Sequence, residues 1–497
     1  MKRRRNGTKS RTKPPTSKAS ALETTLLEAT LAHRRRDLKS AARGYRRVLQ
    51  LRPEWGQVWN AIATVFMDQG HMEAATEALN RALEAAEPYA PALYNLGRIR
   101  QLAGDLDGAA TAYETLIQAQ PDFGLAWNNM GTIHRERGNP AEGLRCFRKA
   151  ARLAPEAPEV WNNLGVALDE ENLLEEAMRA YQEALKLDPL HISANFNLGL
   201  VLQKLGRHAD AEARYRAVLD VRPKDTAARF MLQSLGCLDA PRAAPVDYVR
   251  RVFDGCAGNF DRVLVHDLKY RTPERLFAIV RPHLRPGMTI LDLGCGTGLG
   301  AAMYRPFARR FVGMDASVKM LEQARTKKIY DELKNMDMLD AWNLGEPFDL
   351  ITGSDVFVYV GDLGSVIGPA SAALHPGGLL AFSVELIGEG HRPYRLRPTG
   401  RYAHSAAYVT GILYERGFEV LESVETVLRE EGGKPVGGLL IVARWIQDRL
   451  HAGEETGPPA EEEDCRKIKA SGRHGTGVSR TQAPPFRPEK TAGKEQP

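Results

Sequence analysis

A step of 34 residues runs through the first half of this 497-residue chain and leaves little freedom for anything but a stacked repeat. Bulky residues recur on it at Tyr45, Leu79, Tyr113, Phe147, Tyr181 and Tyr215. Small residues keep the same step at Ala29, Ala63, Gly97, Gly131, Gly165 and Gly199, and again at Ala41, Ala75, Ala109, Gly143, Ala177 and Ala211. Prolines punctuate it at Pro53, Pro121, Pro155, Pro189 and Pro223. Small residues let two helix backbones approach, a bulky one fills the space between units, and proline ends a helix. One such unit has no core of its own, so neighbours must stack and leave a continuous concave face.

The pattern of tryptophan or tyrosine, leucine-glycine, alanine, aromatic, alanine and proline resembles the tetratricopeptide repeat. Six repeats are expected, starting near residues 22, 56, 90, 124, 158 and 192, with "TAARFMLQSLG" (226–236) as a cap helix, so that the solenoid covers 22–236. Asn95, Asn129, Asn163 and Asn197 form a further column on the same step. These "WNNLG" units resemble the repeats of the O-linked GlcNAc transferases. The resemblance implies an exposed carboxamide ladder gripping a protein or peptide in the groove. The alternative is that asparagine is a residue common at this repeat position.

Charge is unevenly placed. Residues 1–20 hold eight Lys and Arg and no acid, which accounts for the net charge of +6 and leaves the rest close to neutral. The charge pattern therefore argues against nucleic acid as a partner of the folded part. No stretch reaches the ~18 apolar residues of a membrane span. Five cysteines scatter without metal-ligand or disulfide spacing, so neither a metal site nor an oxidising compartment is indicated. A cytoplasmic protein is expected, with a basic disordered tail at 1–20 and another disordered tail at 453–497. "CLDAPRAAP" and its neighbours (237–246) read as a linker or hinge.

From residue 247 to 446 the pattern turns to alternating strands and helices. Strand-like runs are "TILDLG" (289–294), "RFVGMD" (310–315), "FDLITGSD" (348–355) and "GLLAFSVEL" (378–386), with "SVKMLEQARTKK" (317–328) and 361–374 as helices between them. Two later runs, 418–429 and 435–445, are close enough to pair antiparallel. The fold class is therefore multidomain: an all-α solenoid followed by a doubly wound α/β domain with its site at the strand carboxyl ends. "GTGLGA" (296–301) satisfies the G-x-G-x-x-A frame of a dinucleotide loop. A second frame places Asp292 at a strand end, followed by Gly294, Gly296 and Gly298. A carboxylate there suits an ammonium group and repels a pyrophosphate, which favours the second frame.

In that frame "DLGCGTG" and "FVGMDAS" resemble the class I S-adenosylmethionine-dependent methyltransferases. The similarity extends over roughly 247–445, and "FDRVLVHDLKYRTPERL", "SDVFVYVGDL" and "TGRYAHS" resemble predicted bacterial methyltransferases that carry tetratricopeptide repeats. The resemblance implies S-adenosyl-L-methionine as cofactor. Asp315, with Ala316 beside it, would accept from the ribose hydroxyls, Asp337 from the adenine amino group, and Met338 would offer its backbone; Tyr270 and Asp355 would complete the pocket. No residue names the methyl acceptor. Asp355 and Glu385 are expected just past the fourth and fifth strands, where an acceptor would lie, and His404 is a candidate base. Phe260, His266, Tyr359 and Tyr402 complete the substrate-side candidates. The expected activity is methyl transfer to an oxygen or nitrogen acceptor, with the solenoid recruiting a protein. The competing class is a non-catalytic scaffold whose Rossmann-like domain senses the cofactor.

Overall fold

Glycine at 97, 131, 165 and 199 is required by what lies opposite each of them. In the computed structural model, which describes residues 18–85, 89–258, 260–262, 264–265, 269–388, 392–431 and 433–446, a Cβ at Gly97 would sit 2.5 Å from the Tyr113 ring. Gly131 would meet Phe147 at 2.8 Å, Gly165 Tyr181 at 2.6 Å and Gly199 Tyr215 at 2.5 Å. The small and bulky columns of the sequence are thus the two sides of one contact, made once in each of these four repeats. The helices pair as Lys18–Arg34 with Leu38–Leu51, Gly56–Asp68 with Met72–Glu84, and Ala90–Leu102 with Leu106–Ala119. Gly124–Glu136 pairs with Pro140–Leu153, Pro158–Glu170 with Leu174–Leu187, and Ile192–Lys204 with His208–Val221. Thr226–Ser234 follows as the expected cap, with Asp225 Oδ1 accepting from the Ala228 amide at 2.9 Å. Tryptophan also joins successive repeats. The indoles of Trp59, Trp127 and Trp161 donate to the carbonyls of Pro53, Pro121 and Pro155 at 2.7, 2.9 and 2.8 Å.

The first helix begins at Lys18, inside the segment expected as a tail. The remainder of that tail and the whole of 453–497 lie outside the described residues. Among the described residues, no helix is long and apolar enough to cross a membrane.

The second half is a nine-stranded sheet among the described residues. Its strands are β1 (Met288–Leu293), β2 (Ala308–Asp315), β3 (Glu332–Asn335), β4 (Phe348–Gly353) and β5 (Leu374–Leu386), then β6 (Tyr394–Leu396), β7 (Tyr402–His404), β8 (Phe418–Glu431) and β9 (Lys434–Trp445). The parallel order is β3-β2-β1-β4-β5. β9 then pairs antiparallel with β5 and with β8, and the short β7–β6 ladder continues from the carboxyl end of β5. Alternate residues face two cores: Leu291, Val312 and Ile351 enter one, Ile290, Phe311 and Leu350 the other. The chain goes from β1 outward to β2 and β3, then returns to β4 on β1's other side. This reversal opens a crevice at the carboxyl ends of β1 and β4.

Solenoid and sheet belong to one compact unit. Tyr215 and Phe230 of the solenoid share a buried cluster with Tyr248, Tyr359, Leu396 and Tyr402. The segment expected as a hinge is pinned along its length. Ala243 bridges Val360, the Ala244 amide donates to the Tyr359 carbonyl at 2.8 Å, and the Tyr402 hydroxyl donates to the Pro241 carbonyl at 2.7 Å.

Candidate active site

The turn after β1 has left-handed backbone at Gly294 (φ +66°), Gly296 (φ +53°) and Gly298 (φ +77°). A Cβ on Gly294 would lie 2.3 Å from Val356 Cγ2, so glycine is required there on steric and torsional grounds alike. The loop is fastened to the end of β2, because the Gly296 amide donates to Asp315 Oδ2 at 2.9 Å. Asp315 Oδ1 accepts from the Ser317 amide at 2.8 Å, which fixes both carboxylate oxygens and leaves each a free lone pair. Asp292 Oδ2 accepts from the Tyr330 hydroxyl at 2.6 Å.

The glycine turn and the two aspartates open on one cleft. Asp292, Gly294, Gly296, Asp315, Ala316, Asp337, Met338, Tyr270 and Asp355 all border it, as do Phe260 and Tyr359. Gly298 supports the turn without lining the cleft. The electrostatics are unusual for a pocket so rich in acids. Burial raises Asp292 to about 7 against the opposing effect of Tyr330, and burial also raises Asp315 and Asp337. Three carboxyl groups held this way favour a ligand with positive charge and hydrogen-bond donors.

At the far end Asp355 follows β4 with a left-handed backbone (φ +59°), and its amide donates to Ser383 Oγ at 2.8 Å. Arg429 Nη1 donates to Asp355 Oδ2 at 2.7 Å. The same guanidinium pairs with Glu385, and its Nε donates to Glu431 Oε1 at 2.7 Å. Arg397 joins Glu385 at 3.1 Å, and Arg401 joins Glu431. Burial acts to raise Glu431, but Arg401 and Arg429 overcome it and hold the carboxyl at about 2. Three cations and three anions therefore close a network behind the cleft, and of these Asp355, Arg401 and Arg429 reach its wall.

Two expected catalytic residues are displaced by this arrangement. Glu385 is buried behind Arg429, spends its oxygens on Arg429 and Arg397, and does not border the cleft. His404 on β7 is fully buried; its Nε2 lies 2.8 Å from the Val360 carbonyl, and it does not border the cleft either. Burial lowers it to about 4, so it stays neutral and has no path to an acceptor's proton. Both errors have one cause: closeness in sequence to a strand end does not say which face the side chain takes. Tyr402 lies in the shared core, and His266 is outside the described residues. Tyr330 and Arg429 escaped the sequence reading, since a tyrosine between helix and strand and an arginine before "EE" look solvated.

The asparagine column is likewise not an exposed ladder. Asn95 is buried, Asn129, Asn163 and Asn197 are half-buried, and their amides are bonded within the protein. Asn197 donates to Asn162 at 3.3 Å, Asn162 to Asn163 at 3.4 Å, and Asn163 to Asn128 at 3.0 Å. Asn128 then donates to Asn129 at 3.1 Å, and Asn129 to the Tyr113 hydroxyl at 3.0 Å. Separately, Asn95 donates to Asn60 at 3.0 Å. The doubled "NN" lets the first amide accept from the following repeat and the second donate to the preceding one, so the column ties repeats together.

Residues 264–423 match the family described as "Methyltransferase domain". Residues from 26 to 192 match "Tetratricopeptide repeat" in four overlapping spans, and 170–235 match it again. The chain joins tetratricopeptide repeats to a methyltransferase domain. Among relatives it is 26% identical over 150 residues to the malonyl-[acyl-carrier protein] O-methyltransferase of Yersinia pestis, covering 30% of this chain and 54% of that one. It is 34% identical over 108 residues to the trans-aconitate 2-methyltransferase of Azoarcus sp. (strain BH72), covering 21% and 42%. The chain thus spans about half the length of the curated relatives it matches. Among solved structures, the N-methyltransferase NodS of Bradyrhizobium japonicum WM9, in complex with S-adenosyl-l-homocysteine, is 21% identical with a TM-score of 0.33, covering 39% of this chain and 97% of that one. Arg429 and the helix Val246–Cys256 lie outside the matched span of the methyltransferase domain.

Proposed function

We propose that the methyltransferase domain uses S-adenosyl-L-methionine to methylate an oxygen or nitrogen acceptor, and that the solenoid recruits the protein which is, or delivers, that acceptor. The observation that carries the cofactor assignment is the trio of half-buried carboxyl groups, Asp292, Asp315 and Asp337, that border one cleft beside a left-handed glycine turn. A pyrophosphate would add negative charge beside three acids, whereas an ammonium, a sulfonium and two ribose hydroxyls add cations and donors. The residues therefore fit this cofactor and disfavour a dinucleotide. Bound there, it supplies an electrophilic methyl group.

The chain's own residues account for the rest. Asp292 would hold the ammonium, Asp315 the ribose hydroxyls, and Asp337 and Met338 the adenine edge. Asp355, kept in place by Arg429, faces the acceptor side together with Tyr270 and Tyr359. Phe253, Phe260 and Val249 supply apolar wall that keeps water from the reacting groups. Displacement at a sulfonium needs alignment more than proton transfer, so the loss of His404 as a base is no obstacle. The printed name of the Yersinia pestis relative, an O-methyltransferase, supports an oxygen acceptor.

Titration calorimetry tests the assignment. The full chain binds S-adenosyl-L-methionine and not NAD, and Asp315→Ala weakens it about 100-fold, the loss of two charge-assisted hydrogen bonds at roughly 1.5 kcal/mol each. NAD binding without a response to S-adenosyl-L-methionine refutes it. Release of S-adenosyl-L-homocysteine in the presence of an acceptor separates an enzyme from a cofactor-sensing scaffold.

A further inference from the structure

The helix Val246–Cys256 carries two stripes of different chemistry. Val246, Val249, Arg250, Phe253 and Asp254 recur at helical spacing on one side. Val246, Val249 and Phe253 line the cleft, Arg250 Nε donates to the Ala316 carbonyl at 3.1 Å, and Ser317 Oγ donates to Asp254 Oδ1 at 2.5 Å. That side therefore grips the loop that carries Asp315. Tyr248 and Arg251 lie three residues apart on the other side and face the solenoid. The Tyr248 ring packs on Phe230 at 4.7 Å; Arg251 stacks over Phe196 at 4.6 Å and reaches Asp225 Oδ2 at 3.1 Å.

The short helix Phe260–Arg262 repeats the arrangement. Arg262 pairs with Glu171 at the end of the fifth repeat's first helix, at 3.2 Å. Its neighbour Asp261 accepts from Thr297 of the glycine turn and from Lys327 Nζ at 2.7 Å. Phe260 borders the cleft and packs against Phe253 with ring centroids 5.8 Å apart. Twice, then, a solenoid carboxylate holds an arginine whose immediate neighbours touch the cofactor loops.

We propose that Asp225 and Glu171 are positioning residues for cofactor binding: the last repeats and the cap helix hold the two cofactor-facing helices in place, so the cleft is complete only while the solenoid supports it. This rests on the cofactor assignment above. It gives the fusion a physical meaning, because a partner that strains the last repeats changes cofactor affinity, and cofactor changes the solenoid in return.

The test uses the full chain and S-adenosyl-L-methionine as the probe. Asp225→Asn with Glu171→Gln removes both anions while leaving a side chain that still caps the helix Thr226–Ser234. Calorimetry is expected to show binding weakened about 5-fold or more, the low end of ordinary coupling between sites. Hydrogen exchange on the unmutated chain gives a second reading that does not depend on a variant's folding. S-adenosyl-L-methionine should slow exchange across 226–234 and 158–171 as well as 246–256, and leave 38–119 unchanged. Wild-type affinity in the double variant, or protection that stops at Val246, overturns the proposal. A wild-type chain that binds no S-adenosyl-L-methionine overturns the cofactor assignment and this proposal with it, which distinguishes the two failures.

Discussion

Asp292 offers the sharpest test, because its carboxyl is built to be uncomfortable without a cation. Burial raises it to about 7, while the Tyr330 hydroxyl at 2.6 Å opposes the rise. An acid whose folded value lies above its unfolded one stabilises the fold most at low pH, below about 4, and that contribution is lost as pH rises through about 7. The free protein should therefore lose stability between about pH 4 and 7 on account of this group. Asp292→Asn, which never ionises, should be the more stable protein at pH 8. At 1.36 kcal/mol per pH unit the limit is about 4 kcal/mol, and water entering the open side of the cleft reduces the realised gain to about 1–2 kcal/mol. Cofactor binding should run the other way. If the ammonium needs the carboxylate, the ionised fraction grows from about 0.03 at pH 5.5 to about 0.5 at pH 7, so affinity should rise about 15-fold over that window. The assay is calorimetry with S-adenosyl-L-methionine at several pH values, beside thermal melts of the free protein. A flat affinity profile in the wild type, or the same slope in Asp292→Asn, would refute the reasoning.

Two further outcomes follow from buried polar groups. Arg429→Met leaves Asp355, Glu385 and Glu431 facing one another without their shared cation, and should cost about 3–5 kcal/mol, read as a lower Tm of the full chain; an unchanged Tm would show the network to be unimportant. Asn128→Ala with Asn162→Ala cuts the asparagine relay twice and strands its partners, at about 1–3 kcal/mol per site. Tm should fall, and unchanged stability with loss of a bound protein would return the column to partner recognition.

Periodic features were legible in the sequence because they obey local rules. A 34-residue step determines which columns of residues recur, since each repeat sees only its neighbours. That Gly97 packs on Tyr113 of its own repeat, and the bulky column fills space within a unit rather than between units, was decided by the fold. The glycine turn was readable for a similar reason: its left-handed backbone and the close approach of Val356 are demands that only glycine meets. Asp292 comes from the same segment, near the end of β1, and Asp315 from the next motif, at the end of β2. What the tertiary structure alone decided is where charged side chains point once distant strands align. Glu385 lies at the end of its strand as expected and His404 ends a short strand that was not, yet Arg429, contributed by a strand 44 residues after Glu385, draws one carboxylate away from the cleft, and the Val360 carbonyl holds the histidine in the core. The asparagines turned inward because each repeat offers the next a matching amide, a reciprocity invisible in any one repeat. The union of solenoid and sheet was equally hidden, since a proline-rich junction such as 237–246 reads as a break until Val360 and Tyr359 supply backbone partners for it. Local sequence sets which groups are available; only the packing of remote elements sets which way each faces and how much of it is left for a ligand.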